Sequence, residues 1–401
     1  MKQPKFILLI IVLAQFCCTS IWFASNAVVI DLAQYFNLNE GVLGHLTAAI
    51  QLGFILGTAL FAVFSIPDRF SPSKVFFCCA LFGALFNIAS IWEGNTLTSI
   101  LLFRFSTGFF LAGIYPVGIK IASDHFKKGL GKSLGFLVGA LVLGTALPHI
   151  VKEINPLVSW TYVFIATTLF AVLGGVLVLL FVPNGPYRKM SSNIASSKLF
   201  SLFKNAKYRT AALGYFGHMW ELYAFWAFIP VLLNTYLRLH PGASFSIPFW
   251  SFSSIAIGAV ACILSGYISQ HIGTKKTAYG LLLASGICCL ISPLFFTMTS
   301  EYIFLGFLLF WGAVVVGDSP LFSTLLAQSV PAEQKGTAIT LATCIGFLIT
   351  ILSIQLLNQL RVVLPQTFLY CILALGPILG VFSALNNKPT KNEQEKNTAN
   401  L

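Results

Sequence analysis

Long apolar runs alternate with short polar ones along the whole chain. Runs of about 20 apolar residues, enough to carry a helix across a hydrocarbon layer about 30 Å thick, cover 6–31, 43–66, 75–93, 98–122, 133–151, 159–182, 210–234, 248–270, 277–297, 303–327, 337–358 and 366–385. Strands of a membrane barrel would be about half as long and would alternate in polarity, whereas these runs are apolar all round. The pattern predicts an all-α polytopic membrane protein with twelve transmembrane helices, six on each side of the longest polar interval. The longest polar interval divides them, so the expected units are a bundle over 1–182, a central loop over 183–209, a second bundle over 210–385 and a tail over 386–401.

Composition agrees with this pattern: 57% of the residues are hydrophobic, 38 are Phe, and 9% are charged. The net charge of +12 changes the picture only through where the basic residues fall. One set of alternate loops holds Lys2, Lys5, Arg69, Lys74, Arg188, Lys275, Lys276 and Lys335 among others, while the other set holds Lys152, Arg238 and Arg361. By the positive-inside rule, both termini and the tail are expected in the cytoplasm of a bacterial cell, with the chain in the inner membrane. The charge therefore reports topology, and no folded basic face exists for a nucleic-acid partner.

The opening MKQPKFILLIIVLAQFCCTS has the basic-then-apolar form of a signal peptide. Its apolar run continues to Val29 without a small-x-small cleavage site, which predicts a first transmembrane helix. The nine cysteines all fall in apolar runs, and three adjacent pairs point about 100° apart on a helix, which suits packing and not bridging. No metal-ligand spacing, phosphate-cradling loop or nucleophile with its base is present, so no cofactor, no metal and no enzyme are expected.

The two halves repeat faintly. Trp22 and Trp226, and Pro116 and Pro320, stand at one common offset, and Lys128–Gly129 answers Lys335–Gly336 at a nearly equal one. The loop FSIPDRFSPSK (64–74) corresponds to GYISQHIGTKK (266–276). Both resemble the G-x-x-x-D-R-x-G-R-K motif of the major facilitator superfamily: Asp68, Arg69 and Lys74 keep charges of the first copy, and Gly266, Gly273 and Lys275 keep positions of the second. Phe64, Ser71, Gln270 and His271 depart from it. Arg104 with Gly108 resembles the family's R-x-x-x-G motif. Gly131, Gly135, Gly139 and Gly144 before Pro148 look like its antiporter motif without the glycines that flank the proline.

The resemblance implies two six-helix bundles related by a pseudo-two-fold axis, one central solute site and alternating access. It makes Asp68, Arg69, Lys74, Gly266, Gly273 and Lys275 a cytoplasmic gate, in which Asp68 docks on a helix N-terminus and the bases pair with acids of the facing half. A short turn with basic residues held at the headgroups is the other reading of each copy.

Four charged residues lie well inside the runs, away from their ends: Arg104, Lys120, Glu221 and Asp318. A lone charge at the bilayer centre costs about 3 kcal/mol or more, so such residues face a cavity or a partner. Glu221 and Asp318 are candidate proton carriers, with His218 three residues before Glu221 and able to share its proton. A structural ion pair with Arg104 or Lys120 is the alternative. Arg104 needs an anion: Glu221, Asp318 or a substrate group. Lys120 either lines the solute site or snorkels to the headgroups. Trp22, Asn26, Gln51, Trp220, Tyr223 and Trp226 complete the expected substrate site, with Gln15 as a further polar candidate. The expectation is a monomeric, proton-coupled secondary transporter of a small-molecule solute. Rivals are a proton-linked exporter of drugs or siderophores and, from another class, a non-transporting sensor or assembly factor.

Overall fold

Helix α1 (Lys5–Thr19) stops well short of the apolar run that predicts it, and two short helices, α2 (Ala24–Ala27) and α3 (Val29–Tyr35), continue the crossing. The reason is local. Thr19 Oγ1 donates to the Gln15 carbonyl at 2.8 Å and Ser20 Oγ to the Cys17 carbonyl at 2.7 Å, so hydroxyls compete for carbonyls the helix would use. The computed structural model describes residues 5–38, 41–126, 130–154, 159–188, 201–331 and 335–386. The tail beyond 386, positions 189–200 of the central loop and the pair Lys128–Gly129 lie outside them.

The remaining helices before the central loop are α4 (Val42–Val63), α5 (Ile66–Arg69), α6 (Pro72–Ala89), α7 (Leu97–Leu111), α8 (Tyr115–His125), α9 (Leu130–Ile154) and α10 (Thr161–Phe181). After it come α11 (Ala206–Leu239), α12 (Ile247–Ile272), α13 (Thr274–Thr297), α14 (Glu301–Gly317), α15 (Ser319–Gln328), α16 (Lys335–Leu360), a 3₁₀ turn (Leu369–Ala374) and α17 (Leu375–Asn386). Every regular element among the described residues is helical. Among the described residues eleven helices are long and apolar enough to cross a membrane, and the shorter apolar helix Phe6–Thr19 belongs to the broken first run. Helix α11 starts four residues before the expected 210, because the Asn205 side chain caps it by accepting from the backbone of Lys207 and Tyr208.

Two crossings break where a proline sits one residue into the second piece. Pro116 opens α8 after α7, and Pro320 opens α15 after α14. The 204-residue offset that relates these prolines also relates two close packings. A methyl group on Gly108 of α7 would meet the Ile50 carbonyl of α4, and one on Gly312 of α14 would meet the Ser254 carbonyl of α12. Glycine is required there because backbone approaches backbone.

The two ends of the helix array differ. At the end carrying Asp31, the two sets of helices touch. Asn358 Nδ2 donates to the Gly41 carbonyl at 2.9 Å, Gln355 Nε2 to the Gly44 carbonyl at 3.1 Å, and Ser246 Oγ to Glu153. Contact continues to mid-depth, through Thr350 Oγ1 on Gln51 Oε1 at 2.7 Å and the Phe54 and Phe347 rings at 4.7 Å. A methyl on Gly139 of α9 would lie 3.9 Å from Ala259 of α12, whereas one on Gly135, a turn nearer the Asp68 end, would meet nothing within 4 Å. At the Asp68 end, Lys120 pairs with Asp68, Arg188 with the carbonyls of Asp68 and Phe70, and Asn205 with the Ser329 carbonyl, each contact lying within one set of the described helices.

Candidate functional site

The break in the first crossing frees the carbonyls of Ile21 and Trp22, and Arg104 takes them. Its Nη2 donates to Ile21 at 2.9 Å and Trp22 at 2.6 Å, and its Nη1 to Asn87 Oδ1 at 3.0 Å. Asn87 in turn donates to Thr167 and Thr168 of α10, both at 3.0 Å. Arg104 is fully buried, yet neither Glu221 nor Asp318 is its partner. The expected acid pairing is corrected. Backbone freed within the same set of helices lies nearer, and a planar guanidinium spans two adjacent carbonyls where a point charge would not.

Lys120 also leaves the expected solute site. Its Nζ lies 2.9 Å from Asp68 Oδ1 and 3.4 Å from Asp124 Oδ1, at the Asp68 end of α8. Its four-carbon stem carries the ammonium to that end, where Asp68 waits one loop away. Asp68 thereby has a base of its own set of helices as its partner, where the resemblance implied a helix N-terminus. Arg69, Lys74, Gly273 and Lys275 are exposed, and a methyl on Gly266 would meet nothing within 4 Å. Gly273 takes φ of 91°, the left-handed region glycine enters without strain, and so turns α12 into α13.

Glu221 and His218 part company. Glu221 is completely buried among helices of the second set, accepting from Trp311 Nε1 at 2.7 Å, Ser285 Oγ at 2.7 Å and Cys289 Sγ at 3.2 Å. These are neutral donors from α13 and α14. His218 instead sets Nδ1 2.7 Å from Asp318 Oδ1, with both side chains buried. The correction follows from helical geometry. Three residues turn the side chain about 300°, so His218 faces the α14–α15 break while Glu221 faces α13. Asp318 sits at that break, its carbonyl receiving the amides of Leu321 and Phe322.

Trp220 turns away from the centre, donating to the Ile372 carbonyl at 3.3 Å beside Gly376. Its neighbour in register belongs to α17, which takes that face of α11. The other expected aromatics converge. Trp22 meets Phe54 at 4.8 Å, Phe347 at 5.7 Å and Tyr223 at 5.8 Å, while Trp226 lies edge-on to Phe23 at 6.2 Å. Rings from both sets of helices form this cluster, with Asn26 bonded to Thr47 and Gln51 to Thr350 at its edge. Gln15 is buried beside Gly118 of α8, away from the cluster.

Sequence reasoning passed over Phe23, Phe54, Phe347, Trp311, Ser285, Cys289 and Asn87. Asn87 stood out as an amide in an apolar run, and Ser285 with Cys289 share a helix face. The phenylalanines gave no signal in a chain with 38 of them.

Known proteins place this architecture. Solved structures that it resembles include a bacterial homolog of the human lysosomal transporter Spinster in an inward-facing, unoccupied conformation (TM-score 0.69, 14% identity, 95% of each chain). The proton:xylose symporter XylE matches with TM-score 0.73 and 17% identity over 96% of this chain and 95% of that one. The nucleoside transporter NupG gives 0.70 and 15% over 95% and 99%. The niacin transporter NiaP of Acinetobacter baylyi is 37% identical over 112 residues, a match spanning 25% of each chain. A family model described as Major Facilitator Superfamily matches residues 11–354, and the chain belongs to that superfamily of membrane transporters, not to the enzymes.

Proposed function

We propose that the chain is a proton-coupled secondary transporter that moves a small organic solute across the bacterial inner membrane by alternating access between the units 1–182 and 210–385. The observation that carries the reading is Glu221. It is a wholly buried carboxyl held by Ser285, Cys289 and Trp311, with no basic group among its described contacts. An unpaired charge in such a place is costly, so the partner that cancels it is a proton.

The surroundings accommodate that proton's arrival and departure. Ser285 Oγ lies 2.7 Å from Glu221 Oε2 and 3.0 Å from the Leu282 carbonyl. With the carboxylate ionised, the hydroxyl donates to it. With the proton on Oε2, the hydroxyl accepts from Glu221 and donates to Leu282. No heavy atom has to move, and the indole N–H of Trp311 serves both states through Oε1.

The His218–Asp318 pair at the α14–α15 break is the second protonatable unit, at a hinge. Proton arrival on either unit changes the charge within the second bundle alone, which biases how that bundle packs on the first. Contacts between the bundles at the Asp31 end, with one-sided contacts at the Asp68 end, correspond to a state closed on the Asp31 side. The basic-residue count assigns the Asp68 side, and both termini, to the cytoplasm. Relatives that move xylose, nucleosides and niacin support a small organic solute.

The test is solute accumulation in proteoliposomes with an imposed pH gradient. Glu221→Gln is expected to abolish gradient-driven accumulation while solute exchange persists, and undiminished accumulation would overturn the proton role. Everted and right-side-out vesicles give the direction. Absence of flux for every solute in a broad panel would favour a sensor instead.

A further inference from the structure

At the bundle interface, the residues of the ring cluster and their neighbours hold polar atoms that no described residue satisfies. Trp22 Nε1, Trp226 Nε1 and Gln51 Nε2 are buried without a hydrogen-bond partner, as are the Ser25 hydroxyl and Asn26 Oδ1. Buried donors without acceptors are rare in folded proteins and ask for an explanation. Three of these atoms donate only, one accepts only, and the hydroxyl does either. The set is short of acceptors.

The rings themselves are arranged in a telling way. Trp22 and Phe54 come from the first bundle, and Tyr223 and Phe347 from the second. Trp22 and Phe347 stack with 26° between their planes at 5.7 Å, and Tyr223 lies 5.0 Å from Phe347. The one stacked pair among these four rings, Trp22 on Phe347, joins the two bundles. When the bundles part at this level, Trp22 and Phe347 both lose a flat partner. A flat guest restores both contacts, which an aliphatic guest of equal size does only in part.

Charge narrows the guest further. Glu221 faces Trp311, Asp318 faces His218, Arg104 is taken by carbonyls and Asn87, and Lys120 sits with Asp68. None of these four is turned to the ring cluster. Of these four charged groups among the described residues, none offers a cation its carboxylate or an anion its guanidinium or ammonium there.

We propose that the transported solute is an uncharged, flat aromatic or heteroaromatic compound rich in hydrogen-bond acceptors, and that it inserts between Trp22 and Phe347 with its acceptors on the indole N–H groups and the Gln51 amide. The assignment rests on the transport reading and names the solute class for it.

The test is equilibrium binding to the purified protein of radiolabelled benzamide and uracil, against cyclohexanecarboxamide, benzoate and benzylammonium. Benzamide or uracil is expected to bind saturably and at least about tenfold tighter than cyclohexanecarboxamide. Benzoate and benzylammonium are expected to bind more weakly than benzamide, because each carries a charge with no partner at the site. Trp22→Phe keeps the ring and loses the N–H, and is expected to weaken benzamide about five- to tenfold. Phe347→Leu is expected to erase the preference for the flat ring over the saturated one. Equal binding of ring and saturated amide, tighter binding of either ion, or no saturable binding of benzamide and uracil at millimolar concentration would each overturn the assignment. Persisting counterflow of some other solute would then leave the transport reading standing. Ring-dependent binding without flux in either vesicle orientation would sink the transport reading and keep the site.

Discussion

Arg104→Ala separates a structural arginine from a coupling one. In the wild type its guanidinium serves the carbonyls of Ile21 and Trp22 and the Asn87 amide oxygen, all buried. Removing it strands three acceptors, each at a cost of about 1–3 kcal/mol. Two effects reduce the total: water entering the hole, and relief from burying a guanidinium without an anion. A net loss of about 2–4 kcal/mol is expected, a large share of the 5–15 kcal/mol that usually holds a domain together. The assay is thermal unfolding of the purified protein, read with a thiol-reactive dye on its nine free cysteines. Arg104→Lys sharpens it. Lysine keeps the charge but not the fork, so it reaches fewer of the three acceptors and should recover less than half of the loss. An ion-pair role predicts the opposite: near-normal behaviour of the lysine variant, and rescue of Arg104→Ala by Glu221→Gln or Asp318→Asn through removal of the orphaned acid. Either result would refute the reasoning.

Three further outcomes are expected. Gly108→Ala and Gly312→Ala should each destabilise by about 1–3 kcal/mol or more, because the added methyl meets backbone that cannot yield, while Gly135→Ala should be neutral or gain up to about 1 kcal/mol; equal melting temperatures for all three would contradict the packing. His218→Gln and Asp318→Asn should each impair proton-driven uptake, and the double variant should be no worse than the more damaging single one; additive losses would show that the two act separately. Gly44→Cys combined with Asn358→Cys, whose Cβ positions lie 3.0 Å apart across the two sets of helices, should form a disulfide on oxidation and stop transport until a reductant is added, and full activity of the cross-linked protein would rule out motion at the Asp31 end.

The sequence by itself determined that the chain crosses a membrane repeatedly as helices, that two halves share one plan, and that four charges lie well inside apolar runs. Those features are local: run length, composition and a repeated offset are all read along one dimension. The break at Asp318 carries a local signal too, in the Gly317 and Pro320 that flank it. The partners were decided only in three dimensions. Arg104 reaches carbonyls more than 80 residues away, Glu221 an indole 90 residues away, and His218 an aspartate 100 residues away. Helices in a membrane are apolar on every side, so periodicity does not reveal which face meets which neighbour. The first crossing shows the same limit. Its break looks like uninterrupted helix in the sequence, because the group that stabilises the freed carbonyls arrives from another helix. Sequence sets which side chains are sequestered from water; packing sets which of them meet, and hence which are free to take a proton or a solute.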